Sequence, residues 1–213
     1  MPAVIINPNS TEAMTDAMLE VAQTAAPEIR FEGRTSHKAP AAIQGPEDGA
    51  AAEAYLLDLV REAETQNAEG IIIGCFDDTA LAQAAKIASC PVVGLGQASY
   101  HYAAMRNWRF SVVTTLAVSV PILEQNIHAL GLAGSLSKVR ASDVPVLALH
   151  EDPEAATQRV LAEASNAAQH DNIDAIIFGC AGMVDITKIA RQKLATHVID
   201  PVVVSAKSLN WLL

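Results

Sequence analysis

The chain has 213 residues and a net charge of −10 at pH 7; 51% of its residues are hydrophobic and 18% are charged. These values exclude a disordered protein and allow one large domain or two small ones with a buried core. The acidic charge argues against a nucleic-acid or anionic-membrane partner, because no basic stripe could neutralise phosphates. No apolar run is long enough to span a membrane, and residues 1–4 lack the features of a signal peptide. The three widely spaced cysteines do not form a disulfide framework, so we expect a reducing cytoplasm.

The first half of the chain alternates apolar runs with helical periodicities. A strand is predicted at 4–6, a helix follows to residue 25, and a second strand is expected near 29–33. Apolar residues at 52, 55, 56, 59, 60 and 63 give the clearest amphipathic helix. Strands at 71–74 and 91–95 flank a helix at 79–89.

The second half repeats this order. Strands are predicted at 110–115, 144–149, 173–179 and 198–204. Helices are predicted at 121–130, from Asp152 and Pro153 onward, and after residue 180 up to about 194. Such alternation of strands and helices is typical of an α/β fold with parallel sheets flanked by helices.

An apolar run ending in Gly-Cys occurs twice, as Ile71-Ile72-Ile73-Gly74-Cys75 and as Ile176-Ile177-Phe178-Gly179-Cys180. The two copies are more than a hundred residues apart, a period too long for a solenoid repeat, which favours duplication. We therefore predict two similar small domains, each with a parallel four-stranded sheet, related by a pseudo-two-fold axis, with the active site in the cleft between them. The predicted division is 1–96 plus 205–213 for the first half and 97–204 for the second.

Both cysteines follow predicted strands, and ligands of open α/β sheets bind at the carboxyl ends of the strands. The polar segments 7–11 and 114–115 follow strands in the same way. A thiol at the start of a helix is expected to favour the thiolate. The alternative is that each Cys is only a small buried hydrophobic residue, but its repetition in register favours a function. Asp77 and Asp78, directly after the first thiol, could equally serve as helix caps.

Other kinds of site have little support. No Gly-rich phosphate loop follows any strand, so a nucleotide cofactor is not expected. The six histidines lack ligand spacing, which argues against a metal site, and no Gly-x-Ser-x-Gly segment indicates a serine hydrolase. A redox pair of Cys75 and Cys180 is a weaker hypothesis, because redox cysteines usually form Cys-x-x-Cys. Cys90 has no counterpart in the second half and is interpreted as structural.

Three segments resemble the Asp/Glu/hydantoin racemase superfamily, and in particular its hydantoin and allantoin racemase branch. They are Ile6-Asn7-Pro8-Asn9-Ser10-Thr11, Gly74-Cys75-Phe76-Asp77-Asp78 and Gly179-Cys180-Ala181-Gly182-Met183. Residues 39–44 also look like a diverged form of that branch's Gly-Pro-x-x-Ile-Glu segment. Relatives usually have Cys-Phe-Gly-Asp-Pro-Gly where this chain has residues 75–80, so a carboxylate is added beside the first thiol. The chain stops early in what should be the last helix, which suggests trimming.

The resemblance implies a racemase that needs no cofactor and uses two cysteines as opposed acid and base on a small-molecule substrate. It implies a homo-oligomer as well. The residues carried over are catalytic Cys75 and Cys180 and substrate-binding Asn7, Ser10, Thr11, Phe76, Asp77, Thr114, Thr115, Ala181 and Gly182.

Two alternatives stay open at this point. One is an amino-acid racemase or a cis–trans isomerase on the same scaffold. The other is a non-catalytic two-lobed binding protein with structural thiols. The substrate side chain, and which cysteine acts as base on which enantiomer, do not follow from the sequence.

Overall fold

A computed structural model describes residues 1–213, which form two parallel sheets with helices on their faces. The first sheet has the order β2-β1-β3-β4 and the second the order β6-β5-β7-β8. The elements of the first lobe are β1 (Ala3–Asn7), α1 (Glu12–Ala25), β2 (Phe31–Thr35), α2 (Pro46–Thr65), β3 (Gly70–Ile73), α3 (Leu81–Ile87), β4 (Val92–Gly94) and α4 (Leu95–Met105). Those that follow are β5 (Phe110–Thr114), α5 (Val120–Ala129), β6 (Leu136–Ala141), α6 (Ala148–Glu151), α7 (Pro153–His170), β7 (Ala175–Phe178), α8 (Val184–Lys193), β8 (His197–Ile199) and α9 (Pro201–Leu212). The predicted fold class is confirmed.

One hydrophobic core of 24 buried residues joins the two sheets. It includes Ile5 and Ile72 from the first sheet and Val112 and Ile177 from the second, with Tyr100 of α4 between them. The other face of each sheet packs on a separate cluster, of 9 residues in the first lobe and 12 in the second. The strands read as continuous apolar runs because they are covered on both faces.

Two predicted strands are wrong in position. The second lobe's strand expected at 144–149 lies instead at Leu136–Ala141, where it forms β6. This edge strand carries Lys138 and Arg140 and is only half-buried. The charged residues of β6 hide it from sequence analysis. Val146 and Leu149 are buried outside any strand, because Val146 packs with Met14 and Ala42 of the first lobe and Leu149 packs in the second lobe's core cluster.

The last predicted strand, 198–204, is short and is followed by a helix. β8 ends at Ile199, and the Asp200 carboxylate accepts hydrogen bonds from the backbone N–H groups of Val202 and Val203. Pro201 occupies the first turn of α9, where its missing N–H costs nothing. β-branched valines after a strand therefore mimic its continuation.

Helix α4 was not predicted, because residues 91–95 read as a strand running into a polar segment. Its start depends on a close approach: a Cβ on Gly96 would lie 2.5 Å from the Phe76 carbonyl oxygen. The predicted division of the chain into two domains stays a prediction; its limits at 96 and 204 fall within α4 and α9, and α9 packs against α1 and α4. None of the helices combines the length and apolarity needed to cross a membrane.

A buried ion pair ties the edge strand β6 to Asp171, the residue that follows α7. Asp171 has a fully buried side chain, and its carboxylate accepts hydrogen bonds from Ser111 Oγ at 2.7 Å and Arg140 Nε at 2.6 Å. Arg140 also contacts Glu163 at 2.7 Å. The Arg140 guanidinium holds the pKa of Asp171 below its usual value.

Replacing Arg140 with Ala should lower the free energy of unfolding by about 3 kcal/mol, because it leaves a buried carboxylate without its main cationic partner. Urea denaturation followed by circular dichroism measures this. Arg30→Ala is the matched control, since Arg30 pairs with Glu32 at the surface and should contribute about 1 kcal/mol or less. Equal losses in the two variants would contradict the assigned role of the buried pair.

Candidate active site

The two Gly-Cys segments meet at one small cleft between the lobes, which we call the thiol cleft. It measures about 40 Å³ and is lined by 16 residues. Of the predicted site residues, those lining it are Cys75, Phe76, Asp77, Thr114, Thr115, Cys180, Ala181 and Gly182. Asn7, Ser10 and Thr11 do not line it. Six further residues line the thiol cleft but were not predicted as site residues: Asn9, Met14, Ile43, Ser119, Leu123 and Val146.

The same backbone geometry positions both cysteine side chains at the cleft. Gly74 N donates to Ile6 O at 2.8 Å, and Gly179 N donates to Val113 O at 2.8 Å. A Cβ on Gly74 would lie 2.8 Å from the Met18 methyl group, and one on Gly179 would lie 3.0 Å from Thr114 Cβ. A larger residue would have to displace its neighbours at either position, which favours Gly before Cys in both copies.

The loop that carries Cys75 is held by both lobes. Asp78 accepts hydrogen bonds from the N–H groups of Gly96 (3.0 Å) and Gln97 (2.7 Å) at the start of α4. Asn126 of α5 donates to the Asp77 carbonyl oxygen at 2.7 Å. Burial raises the pKa of Asp78 to about 8, although the two N–H groups oppose that shift. The loop is therefore anchored at the junction of α4 and α5.

The expectation that helix starts favour both thiolates is wrong. Helix α3 begins only at Leu81, so Cys75 is not at a helix start. Burial raises the pKa of Cys75 well above its ordinary value, and the nearby charge of Asp77 raises it further.

Cys180 directly precedes a 3₁₀ turn (Ala181–Met183) and is the easier of the two thiols to ionise. Burial raises its pKa to about 11, the Gly182 N–H lowers it by hydrogen bonding, and the charge of Asp77 raises it. Both cysteines are free and only partly accessible, so each is a desolvated thiol at neutral pH.

The predicted polar residues of the first loop support the cleft from outside. Asn7 is fully buried and its side-chain NH₂ donates to Asn9 Oδ1, Thr11 O and Thr15 Oγ1. Ser10 N donates to Pro40 O at 3.0 Å, and Thr11 Oγ1 donates to Ala41 O at 2.8 Å. These bonds fix the segment 36–45, which brings Ile43 to the thiol cleft.

Hydrogen-bond donors toward the cleft come from other residues. Thr114 Oγ1 donates to Gly179 O at 3.1 Å, so its hydroxyl is engaged within the protein. The Thr115 and Ser119 hydroxyls line the cleft without a hydrogen-bond partner in the protein, and Asn9 Nδ2 contacts only Met14 Sδ, at 3.4 Å. Ser119 directly precedes α5 as Thr11 precedes α1, and its place before Val120-Pro121 marks it in the sequence as a helix-start residue but not as a cleft residue.

The thiol cleft is closed by contacts between the lobes. Val146 N donates to Gln44 Oε1 at 2.9 Å, and Gly45 (φ +118°) lies against Val118. The space left at the thiols, about 40 Å³, admits only a few water molecules.

A larger groove, of about 960 Å³, lies between β4, α4, β8 and α9. It includes Trp108, His197 and Trp211 but neither Cys75 nor Cys180. The candidate site is the smaller cleft, because the ionisable groups in register converge there. No group of three His, Cys, Asp or Glu side chains is arranged to hold a metal ion.

Comparison with known proteins gives consistent matches over the whole chain. The family model described as Asp/Glu/Hydantoin racemase matches residues 4–209. A hydantoin racemase from Rhizobium meliloti is 39% identical over 212 residues, covering 98% of this chain and 87% of the relative. A hydantoin racemase from Paenarthrobacter aurescens is 32% identical, and the match covers 95% of this chain and 86% of the relative. The solved allantoin racemase from Klebsiella pneumoniae superimposes with a TM-score of 0.94 at 30% identity, covering 100% of this chain and 87% of that one.

Alkylation of Cys180 by iodoacetamide should increase with pH toward a midpoint of about 11, because the thiolate is the reactive form. Asp77→Asn should move the midpoint to lower pH, since the carboxylate raises this pKa. Mass spectrometry of the Cys180 peptide over the pH range in which circular dichroism shows an intact fold measures both effects. A midpoint below 9 in the unaltered protein would contradict the assigned burial of the thiol.

Proposed function

Because the chain belongs to the Asp/Glu/hydantoin racemase family, we propose that it is a cofactor-independent racemase of a hydantoin or allantoin-like ring. The observation that carries the proposal is that two thiols from equivalent strand ends line one cleft. A carbon inverts when one face loses a proton and the opposite face receives one. Two opposed acid/base groups meet that requirement.

The proposed reaction begins with one cysteine as thiolate. It removes the proton from the ring carbon next to the carbonyl, and the C–H electron pair moves to the carbonyl oxygen as an enolate. The opposite thiol then delivers its proton to the other face, which re-forms the carbonyl and leaves the second cysteine as thiolate. The two cysteines exchange roles when the other enantiomer reacts.

Residues near the thiols would hold the developing negative oxygen. The Thr115 and Ser119 hydroxyls and the Asn9 amide are candidates, because they line the cleft with donor capacity that the protein does not use. Asn7, Ser10 and Thr11 would act by fixing this surface, as their hydrogen bonds are internal. Preorganised donors of this kind stabilise charge as it develops.

Racemisation of an acidic amino acid fits this cleft less well. Asp77 is the one charged side chain among the 16 lining residues, and no Lys, Arg or His accompanies it. A substrate with two carboxylates would face a third without a compensating cation. A purely binding role leaves unexplained why both thiols face the cleft.

Cys75→Ala and Cys180→Ala should each lower racemisation by about a hundredfold or more, because each removes one of the two acid/base groups. Loss of optical rotation from a single enantiomer of a five-substituted hydantoin in D₂O measures this, with deuterium incorporation read by mass spectrometry. A single-cysteine variant should still exchange the proton of one enantiomer slowly, with retention.

Cys90→Ala is the matched control, since Cys90 packs at the edge of the first-lobe cluster and away from the cleft. It should racemise at the unaltered rate. Normal racemisation by the Cys75→Ala or Cys180→Ala variant would exclude the two-base mechanism.

The enzyme is further proposed to act as a homo-oligomer in a reducing cytoplasm. All three cysteines are free, and the exposed side chains of Met105, Trp211 and Leu212 gather at the larger groove. Light scattering coupled to size-exclusion chromatography should give a mass that is a multiple of 22.4 kDa. A monomer at micromolar concentration would contradict the oligomer.

A further inference from the structure

Asp77 has an unusual position in the thiol cleft. It lines the cleft together with both cysteines. Every other lining side chain apart from the thiols is neutral, and Asp77 forms no salt bridge. Charged side chains that are partly removed from water are normally paired. This carboxylate therefore lacks a cationic partner within the protein.

The carboxylate is held by one oxygen and leaves the other available. Oδ1 accepts hydrogen bonds from Thr79 N at 3.1 Å and from Thr79 Oγ1 at 2.5 Å. Oδ2 accepts no hydrogen bond from a nitrogen or oxygen donor, and it lies on the side of Gly49, where an added Cβ would come no closer than 3.9 Å. The Cys75 thiol is the carboxylate's other hydrogen-bonding neighbour. The Asp77 backbone is fixed separately by Asn126. The side chain is thus oriented in advance, with one oxygen open toward α2.

We propose that Asp77 determines substrate specificity by binding a cationic group, so that the preferred substrates are hydantoins whose five-substituent ends in an ammonium or guanidinium. The proposal rests on the racemase function proposed above and narrows its substrate class. Three features of the site favour a cation: the Asp77 carboxylate oxygen is already oriented, no other cation competes for it, and Gly49 leaves room for the incoming chain.

The same carboxylate opposes catalysis until a cation binds. Its negative charge raises the pKa of both Cys75 and Cys180 and so disfavours the thiolate that removes the proton. A cation at Asp77 would cancel that charge, and the correct substrate would help to ionise its own base. An uncharged substrate would obtain no such benefit.

Two substrates with the same four-carbon chain test the proposal: 5-(4-aminobutyl)hydantoin, which carries an ammonium, and 5-butylhydantoin, which does not. The unaltered enzyme should have at least a roughly tenfold higher kcat/KM for the first, as expected for a desolvated, charge-assisted hydrogen bond. Asp77→Asn keeps the acceptor for Thr79 and removes the charge. It should erase the preference, mainly by raising KM for the aminobutyl compound, and should raise kcat for the butyl compound.

Glu47→Gln is the matched control. Glu47 is an exposed acid in the first turn of α2, outside the thiol cleft, so the same change of charge there should leave the preference intact. The substrate preference of the unaltered enzyme tests the proposal even if Asp77→Asn folds poorly, and Asp77→Ser provides a second variant.

The outcomes separate the two proposals. Racemisation of both hydantoins with equal kcat/KM would overturn the role of Asp77 and leave the racemase function standing. An equal fall in kcat for both substrates in Asp77→Asn would identify Asp77 as a group acting on the thiols and would also overturn the specificity role. Absence of racemisation with every hydantoin would overturn both.

Discussion

The close approach of a strand end to its neighbour is the constraint on which this structure depends. At Gly74 and Gly179 the backbone N–H donates to the adjacent strand, and an added Cβ would be crowded by Met18 and the Ile6 carbonyl oxygen at Gly74 and by Val112 and Thr114 at Gly179. The next residue then lies at the carboxyl edge of the sheet. Since both sheets use the same backbone bond, the two thiols occupy equivalent places. Because the lobes meet at these edges, both thiols line one cleft, and the proposed two-base mechanism depends on that arrangement.

Burial gives the thiols their chemical character. A desolvated thiol ionises with difficulty, but once ionised it is a stronger base than an exposed one, because basicity rises with pKa. The charge of Asp77 raises the pKa of both thiols, but Cys75 is also hydrogen-bonded to the Asp77 side chain, which raises its pKa further, whereas the Gly182 N–H partly offsets burial at Cys180. Two thiols on equivalent strand ends are therefore not chemically equal.

Much of this could be predicted from the sequence, because it is carried by patterns of period and repetition. Buried strands and the paired Gly-Cys segments are such patterns. The strands predicted the fold class, and the paired segments predicted a shared role for Cys75 and Cys180. The edge strand β6 could not be found because its half-exposed, charged residues lack the apolar signature. Asn9 and Ser119 could not be separated from ordinary helix-start residues, since only the tertiary structure decides whether a capping position also faces the cleft.

The position of the shared core explains how the cleft can open without loss of the fold. The lobes remain joined through Tyr100, stacked on Phe110, and through α4 and α9, while the cleft itself is closed by the Gln44–Val146 hydrogen bond and the contact at Gly45. Separating these few contacts costs far less than separating 24 buried core residues. Water admitted to the cleft would reduce the burial that raises the pKa of the thiols. In the proposed reaction, a substrate that fills the cleft would therefore both exclude water and strengthen the base.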